Sequence, residues 1–262
     1  MNNRSIGVFD SGIGGLTILS EVENLLPSET FIYVADSLHH PYGKKTEDEL
    51  KKLTSHILDF LISRNVKMVI AACNTASVHT LEHLRHKYKI PIIGVVPVVK
   101  TIAEISKTKK AAVFATPATV KSPYLQDLIG RYADGVEIFK VGGTGLEEII
   151  EKGDFENPKI NTILEKYFSD IKNKGVDAIA LGCTHYPIIE KQMKKIVGRK
   201  IRIVDSGGAV ARRVKAVLAN EEMLSREKGK DLYYTTGNRE EFRRIAEKIL
   251  DRELKNVEQI NL

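Results

Sequence analysis

Residues Val66 to Thr75 read VKMVIAACNT, and residues Val176 to His185 read VDAIALGCTH. Each stretch is an apolar run of strand length, then a cysteine, then small polar residues, with helical patterning beyond. The chain has two cysteines, and both stand at this point of the pattern, as Cys73 and Cys183. The strands ahead of them correspond too: Gly7 to Ser11 reads GVFDS and Ala112 to Thr116 reads AVFAT. An internal duplication of an α/β unit accounts for all four stretches. Ligands of open α/β sheets bind at the carboxyl ends of the strands. Two lobes related by pseudo-two-fold symmetry are therefore expected, with an active site between them and one thiol facing it from each.

Working outward, strands are expected at 6–9, 30–35, 66–72 and 90–96, with helices at 16–26, 47–64 and 76–88. Leu50, Leu53, Ile57, Leu58, Leu61 and Ile62 fall at helical spacing. The pattern then restarts, with strands at 111–115, 136–141, 176–181 and 201–204 and helices at 122–132, 160–174 and 188–197. Residues 207–262 read as mostly helical, with one candidate strand at 232–235. Strands alternating with helices imply parallel, doubly wound sheets. The fold class is α/β, with two similar doubly wound lobes. Residues 1–97 and 206–262 make the first and carry Cys73; residues 98–205 make the second and carry Cys183.

A chain of 262 residues suits one large α/β domain or two small ones. Hydrophobic residues make up 42% and charged residues 28%, as in ordinary soluble domains. The net charge of +6 does not point to nucleic acid, because lysines are mixed with glutamates along the helical stretches and no basic stripe is interleaved with aromatics. No apolar run is long enough to span a bilayer. The stretch from Met1 to Ser5 has neither a secretory apolar region nor a cleavage site. A cytoplasmic protein with no membrane partner is the expectation. Neither cysteine belongs to a Cys-x-x-Cys pair, which removes the spacing of zinc and thioredoxin-like sites, and a structural disulfide is not expected in a reducing compartment.

Each cysteine precedes a helix N-terminus, where backbone N–H groups favour a thiolate. Asn74 or Thr75 is expected to cap the first helix and Thr184 or His185 the second, and Pro187 suits an early helical position. Two thiols across one substrate suit racemisation. One base removes a proton from one face of a carbon, and the other returns a proton to the opposite face. A lone cysteine at a strand end is more often a buried small hydrophobe, but packing does not predict two at equivalent positions. The segment from Asp10 to Gly15 reads DSGIGG. It fails as a dinucleotide fingerprint, because Thr17 holds the third glycine position, and it lacks the Gly-Lys of a phosphate loop. Two readings fit it: a tight strand-to-helix turn capped by Asp10, or a cradle in which Ser11 and exposed N–H groups hold a charged group. His185 either tunes Cys183 and shuttles protons or caps its helix. His39, His40, His56, His79, His83 and His86 are expected at the surface. Pro41, Tyr42 and Gly43 read as a turn, whose tyrosine hydroxyl is suited to a carboxylate.

The ordered set of motifs resembles glutamate racemases, within the aspartate/glutamate racemase superfamily. It comprises residues 6–17 (IGVFDSGIGGLT), Ala35 and Asp36 with Pro41 to Gly43, residues 72–77 (ACNTAS), residues 116–122 (TPATVKS) and residues 181–187 (LGCTHYP), in family order. The resemblance implies two lobes, the first completed by the C-terminal tail. It implies that Cys73 acts on the D-enantiomer and Cys183 on the L-enantiomer, assisted by Asp10 and His185. Ser11, Pro41, Tyr42, Gly43, Asn74, Thr75, Thr116, Thr119, Glu151 and Thr184 would bind L- or D-glutamate. No metal and no pyridoxal or other cofactor is implied; a homodimer and a role in peptidoglycan synthesis are. The chain departs from the family at Ala115, at Ser37 to His40, and most at Val141 to Glu148. There, VGGTGLEE replaces a Cys-Pro-x-Phe-Val-Pro-like stretch. That replacement motivates the alternative of a related racemase for aspartate or a broader set of amino acids.

Overall fold

A computed structural model describes residues 3–262. The first two residues, with which the first lobe was expected to begin, lie outside the described residues. The chain divides into two compact units. One takes the residues up to Val95 together with Gly207–Leu262, and the other takes Val96–Ser206.

The first unit opens with β1 (Ile6–Asp10), α1 (Leu16–Leu25), β2 (Phe31–Ala35), α2 (Glu47–Ser63), β3 (Met68–Ala71), α3 (Asn74–Lys87) and β4 (Ile92–Gly94). The second unit contains α4 (Val99–Ile105), β5 (Lys110–Ala115), α5 (Pro117–Lys121), α6 (Pro123–Tyr132), β6 (Glu137–Gly142), α7 (Leu146–Glu151), α8 (Pro158–Asn173), β7 (Ala178–Gly182), α9 (Glu190–Val197) and β8 (Arg202–Val204). The chain then returns to the first unit with α10 (Gly207–Asn220), β9 (Leu232–Thr235), α11 (Arg239–Leu250) and β10 (Val257–Gln259).

Both sheets are wholly parallel. Their orders are β10-β9-β2-β1-β3-β4 and β6-β5-β7-β8. The stretch β2-β1-β3-β4 therefore has the same order as β6-β5-β7-β8, which is the duplication seen in the sequence. In each sheet the winding reverses at the first strand of the repeat, which opens a crevice at the carboxyl ends. Central strands covered on both faces need apolar residues throughout. Accordingly β1, β2, β3 and β7 are buried along their whole length, whereas the edge strand β6 is not. Phe9, Val34, Ile57, Leu58, Leu61 and Val69 centre the core of the first unit, and Ile102, Val113, Leu125 and Ala180 that of the second.

Local chemistry sets the ends of the elements. Thr46 and Glu49 form a reciprocal capping box on α2. Thr116, Ser122, Asn157 and Asn238 cap α5, α6, α8 and α11. The expected caps after the cysteines are corrected by the structure. Cys73 itself takes the N-cap position of α3, so Asn74 and Thr75 lie inside the helix. After Cys183 the chain makes a 3₁₀ turn (Tyr186–Ile189) with His185 at its cap and no side-chain capping bond, and α9 starts only at Glu190. Pro187 does sit early in that turn.

Asp177 ties the second sheet to the turn before β5. Its Oδ1 accepts from the Ser106 hydroxyl at 2.6 Å, and its Oδ2 from the amides of Lys107 and Thr108 at 2.7 and 3.1 Å. Burial tends to raise its pKa, but these hydrogen bonds prevail and hold it below the ordinary carboxylate value. A depressed folded pKa adds stability above the unfolded value, and that stability is lost as the pH falls through the folded value. Asp177→Asn is thus expected to lower stability by about 1 kcal/mol at neutral pH. The gap in urea midpoint to the wild type should close as the pH falls below about 4. A gap that stays constant to low pH would show that the charge of Asp177 contributes nothing.

Candidate active site

The first thiol is placed by β1 and β3. Phe9 pairs with Ala71, so the register carried two residues further sets Ser11 across from Cys73. Their side chains meet: Cys73 Sγ lies 3.8 Å from Ser11 Oγ. Asp10 accepts from the Gly15 amide through Oδ2 at 2.7 Å, and it also faces the Cys73 thiol. Asp10 thus caps the turn and stands beside the thiol. Gly15 makes the closeness workable, since a Cβ there would fall 2.7 Å from the Asp10 Cβ and 2.8 Å from the Tyr33 hydroxyl. Tyr33 in turn donates to the Gly12 carbonyl at 2.7 Å and holds the loop down.

Burial pushes the Cys73 thiol up, and the charge of Asp10 pushes it further; the Ala76 amide and the Ser11 hydroxyl work the other way and do not prevail. The group rests as a thiol at neutral pH. Tyr42 faces the same thiol and Asp10. It is buried, in a 3₁₀ turn (Tyr42–Lys44) that follows Pro41 and includes Gly43. Its hydroxyl donates to Asp36 Oδ2 at 2.6 Å, while the other oxygen of Asp36 accepts from the Thr236 hydroxyl at 2.8 Å. A phenol has a single proton to donate, and here it is committed to Asp36, with burial and Asp36 together raising the Tyr42 pKa well above its usual value. Asp36 was outside the set of site residues expected from the sequence. Its signal was its place, one residue past the end of β2, much as Ser11 stands one past β1. Asn74 and Thr75 are buried in the first turn of α3, and the Asn74 amide reaches the Val95 carbonyl at 3.3 Å.

The second thiol repeats the plan with different partners. Ala115 pairs with Gly182, so Thr116 and Cys183 leave their strands side by side, as Ser11 and Cys73 do. Thr116 bonds to Thr119, hydroxyl to hydroxyl, at 3.0 Å, and both are buried. Thr184 is buried beside Cys183. No carboxylate stands where Asp10 does, because that position is Ala115. The proton partner comes from the other side: Cys183 Sγ lies 3.7 Å from His185 Nδ1, and His185 Nε2 lies 2.8 Å from Glu151 Oε2. Burial raises the Cys183 pKa, and His185 partly offsets that rise. Burial also works against an imidazolium at His185, but the bonds to Cys183 and Glu151 outweigh it and lift the ring well above its ordinary value. A protonated His185 favours a thiolate at its neighbour. Two further residues belong here that the sequence reading missed: the Tyr186 hydroxyl donates to Glu147 Oε1 at 3.3 Å, and both side chains are buried.

Each unit, taken by itself, presents a buried thiol at a strand end with a dedicated proton partner. Among the described residues, no helix is long and apolar enough to cross a membrane.

A family profile described as Asp/Glu/Hydantoin racemase matches residues 14–214. A glutamate racemase from Clostridium novyi (strain NT) is 40% identical over 249 residues, covering 94% of this chain and 96% of that protein. A solved glutamate racemase from Bacillus anthracis superposes with a TM-score of 0.93 at 28% identity, over 100% of this chain and 99% of the other. The solved glutamate racemase from Francisella tularensis in complex with D-glutamate gives a TM-score of 0.87 at 30% identity, over 100% and 98%.

Proposed function

The chain belongs to the glutamate racemases, isomerases of the Asp/Glu/Hydantoin racemase family, and we propose that it interconverts L- and D-glutamate by two-base proton transfer at Cα, with no cofactor. The observation that carries the mechanism is the pair of thiols at equivalent strand ends, each with its own proton partner: Asp10 for Cys73, and His185 with Glu151 for Cys183. In the L-to-D direction, Cys183 as thiolate takes the Cα proton and becomes a thiol. Cys73 as thiol gives its proton to the opposite face and becomes a thiolate. In the other direction the roles exchange. The partners fit this division. A cation at His185 eases thiolate formation at Cys183, and a carboxylate at Asp10 keeps a proton on Cys73 until it is needed. Ser11, Pro41, Tyr42, Gly43, Asn74, Thr75, Thr116, Thr119, Glu151 and Thr184 form the cradle for the substrate's ammonium and carboxylates. Fixed donors in a buried site then stabilise the carbanion. The D-glutamate formed supplies peptidoglycan synthesis, and the enzyme works in the cytoplasm as a homodimer.

The segment from Val141 to Glu148, which departs from the family pattern, favours a second reading with aspartate or a broader set of substrates. One experiment addresses both. Incubated in deuterated water without added cofactor, the enzyme should replace the Cα proton of L-glutamate with deuterium, seen by NMR, as D-glutamate appears. Folded enzyme that exchanges aspartate but not glutamate would establish the second reading, and absence of exchange with either would overturn both.

A further inference from the structure

Residues 146–151 read LEEIIE and form α7. Glu147 and Glu151 stand four apart, so they share one face of that helix. This face meets two successive residues of the chain after Cys183. Glu151 takes His185 at 2.8 Å, and Glu147 takes Tyr186 at 3.3 Å. A carboxylate in the first turn of a helix is ordinarily solvated, yet Glu147 is only 8% exposed. Its partner is held rigidly. The Tyr186 ring stacks on Phe114 with centroids 4.6 Å apart, and Phe114 packs edge-on against Phe168 at 5.0 Å. Gly143 makes room for the stack, since a Cβ there would lie 2.7 Å from the Phe114 ring and 3.1 Å from the Tyr186 hydroxyl. The glycine and the glutamate of the departing segment thus serve one arrangement, built against the second thiol.

The charged and titratable groups around Glu147 are His185, Tyr186 and Glu148, with Cys183 beyond them and Glu151 on the far side of the imidazole. Two ionised carboxylates four apart on a helix repel, and the His185 ring is already bonded to Glu151. Burial raises the Glu147 pKa, which fits a carboxyl that ionises late. We propose that Glu147 is a positioning residue for the second-lobe thiol, acting on Cys183 through its charge and on the His185–Tyr186 segment through its hydrogen bond to the Tyr186 hydroxyl. Once ionised, Glu147 opposes thiolate formation at Cys183; while neutral, it leaves the imidazolium unopposed on that side. The group thereby sets the pH at which Cys183 gives up its proton. Only the kinetic consequence of this assignment rests on the racemase reading.

The test uses Cys73→Ser protein, in which Cys183 is the single thiol. Alkylation of Cys183 by iodoacetamide is followed against pH by mass spectrometry, with and without Glu147→Gln. Glutamine keeps an acceptor for Tyr186 and removes the charge. The alkylation midpoint should move to lower pH by about half a unit to one unit. Tyr186→Phe, which removes a bond that favours the ionised carboxylate, should move it the same way by less. Unchanged midpoints in folded variants would overturn the proposal. With both cysteines present, Glu147→Gln should shift the pH profile of kcat/KM in the L-to-D direction downward as well. If the thiol midpoint shifts but no amino acid is exchanged, the racemase reading fails and the assignment of Glu147 stands.

Discussion

Replacing Cys73 with alanine is expected to abolish interconversion of the enantiomers, with a loss of about a thousandfold or more, while L-glutamate still exchanges its Cα proton with solvent. This outcome follows from two bases acting on opposite faces of Cα. A general acid or base contributes about 10²- to 10⁴-fold, and a missing base on one face is not replaced by the other, which cannot reach that face. Cys183 with His185 remains intact in this variant, because its partners at 3.7 and 2.8 Å all lie in the second unit. It still removes the proton of the L-enantiomer, exchanges it with solvent, and returns deuterium to the same face. Cys183→Ala should show the mirror result, with slow exchange confined to D-glutamate. NMR of each enantiomer in deuterated water reads both outcomes. If either variant still converts one enantiomer to the other at near wild-type rate, the two-thiol mechanism is wrong.

The second large effect concerns stability. Lys67, just ahead of β3, is fully buried, and its ammonium lies 2.6 Å from Glu29 Oε2, itself 2% exposed. The same ammonium donates to the Met223 carbonyl at 2.7 Å and the Ser225 hydroxyl at 2.9 Å, and Glu29 accepts from the Ser225 amide at 2.8 Å. Lys67→Met leaves the carboxylate buried with its cation gone, which costs about 3–5 kcal/mol in comparable cases. Urea unfolding should show a loss of that size. The double variant Lys67→Met, Glu29→Gln should recover a large part of it, because a neutral amide is far cheaper to bury than an unpaired charge. A single variant within about 1 kcal/mol of the wild type would mean that the pair is solvated in solution.

The duplication was legible because both copies kept the apolar strand, the cysteine and the helix after it. The parallel sheets followed from that alternation. Short elements were not legible. α4, α5 and α7 have at most seven residues, too few for periodicity to register. β10 has three, of which only Val257 is buried. Cys73 and Cys183, and Asp10 and His185 beside them, could be picked from the pattern. The pairing of Tyr42 with Asp36, and of Tyr186 with Glu147, could not, since each is made by side chains whose approach depends on turns. Aligning the two copies does expose the asymmetry of the site: Asp10 answers to Ala115, and Thr75 to His185. Each thiol received its partner from a different limb of the same repeat.

The six-stranded sheet has a consequence for the order in which a newly made chain can fold. Its strand β2 pairs on one side with β9, Ile32 against Leu232 and Val34 against Tyr234, and α1 packs on α10 and α11. On the ribosome, a chain that has passed residue 206 holds every strand of the four-stranded sheet but lacks two strands of the other. Until Leu232 to Thr235 emerge, the β2 edge, with Phe31 to Val34, stands bare, and a bare apolar edge is a template for pairing with other chains. Translation that halts between β8 and β9 therefore yields a product with one finished half and one adhesive half, and synthesis of the stretch after residue 206 is the interval in which this protein most needs a chaperone.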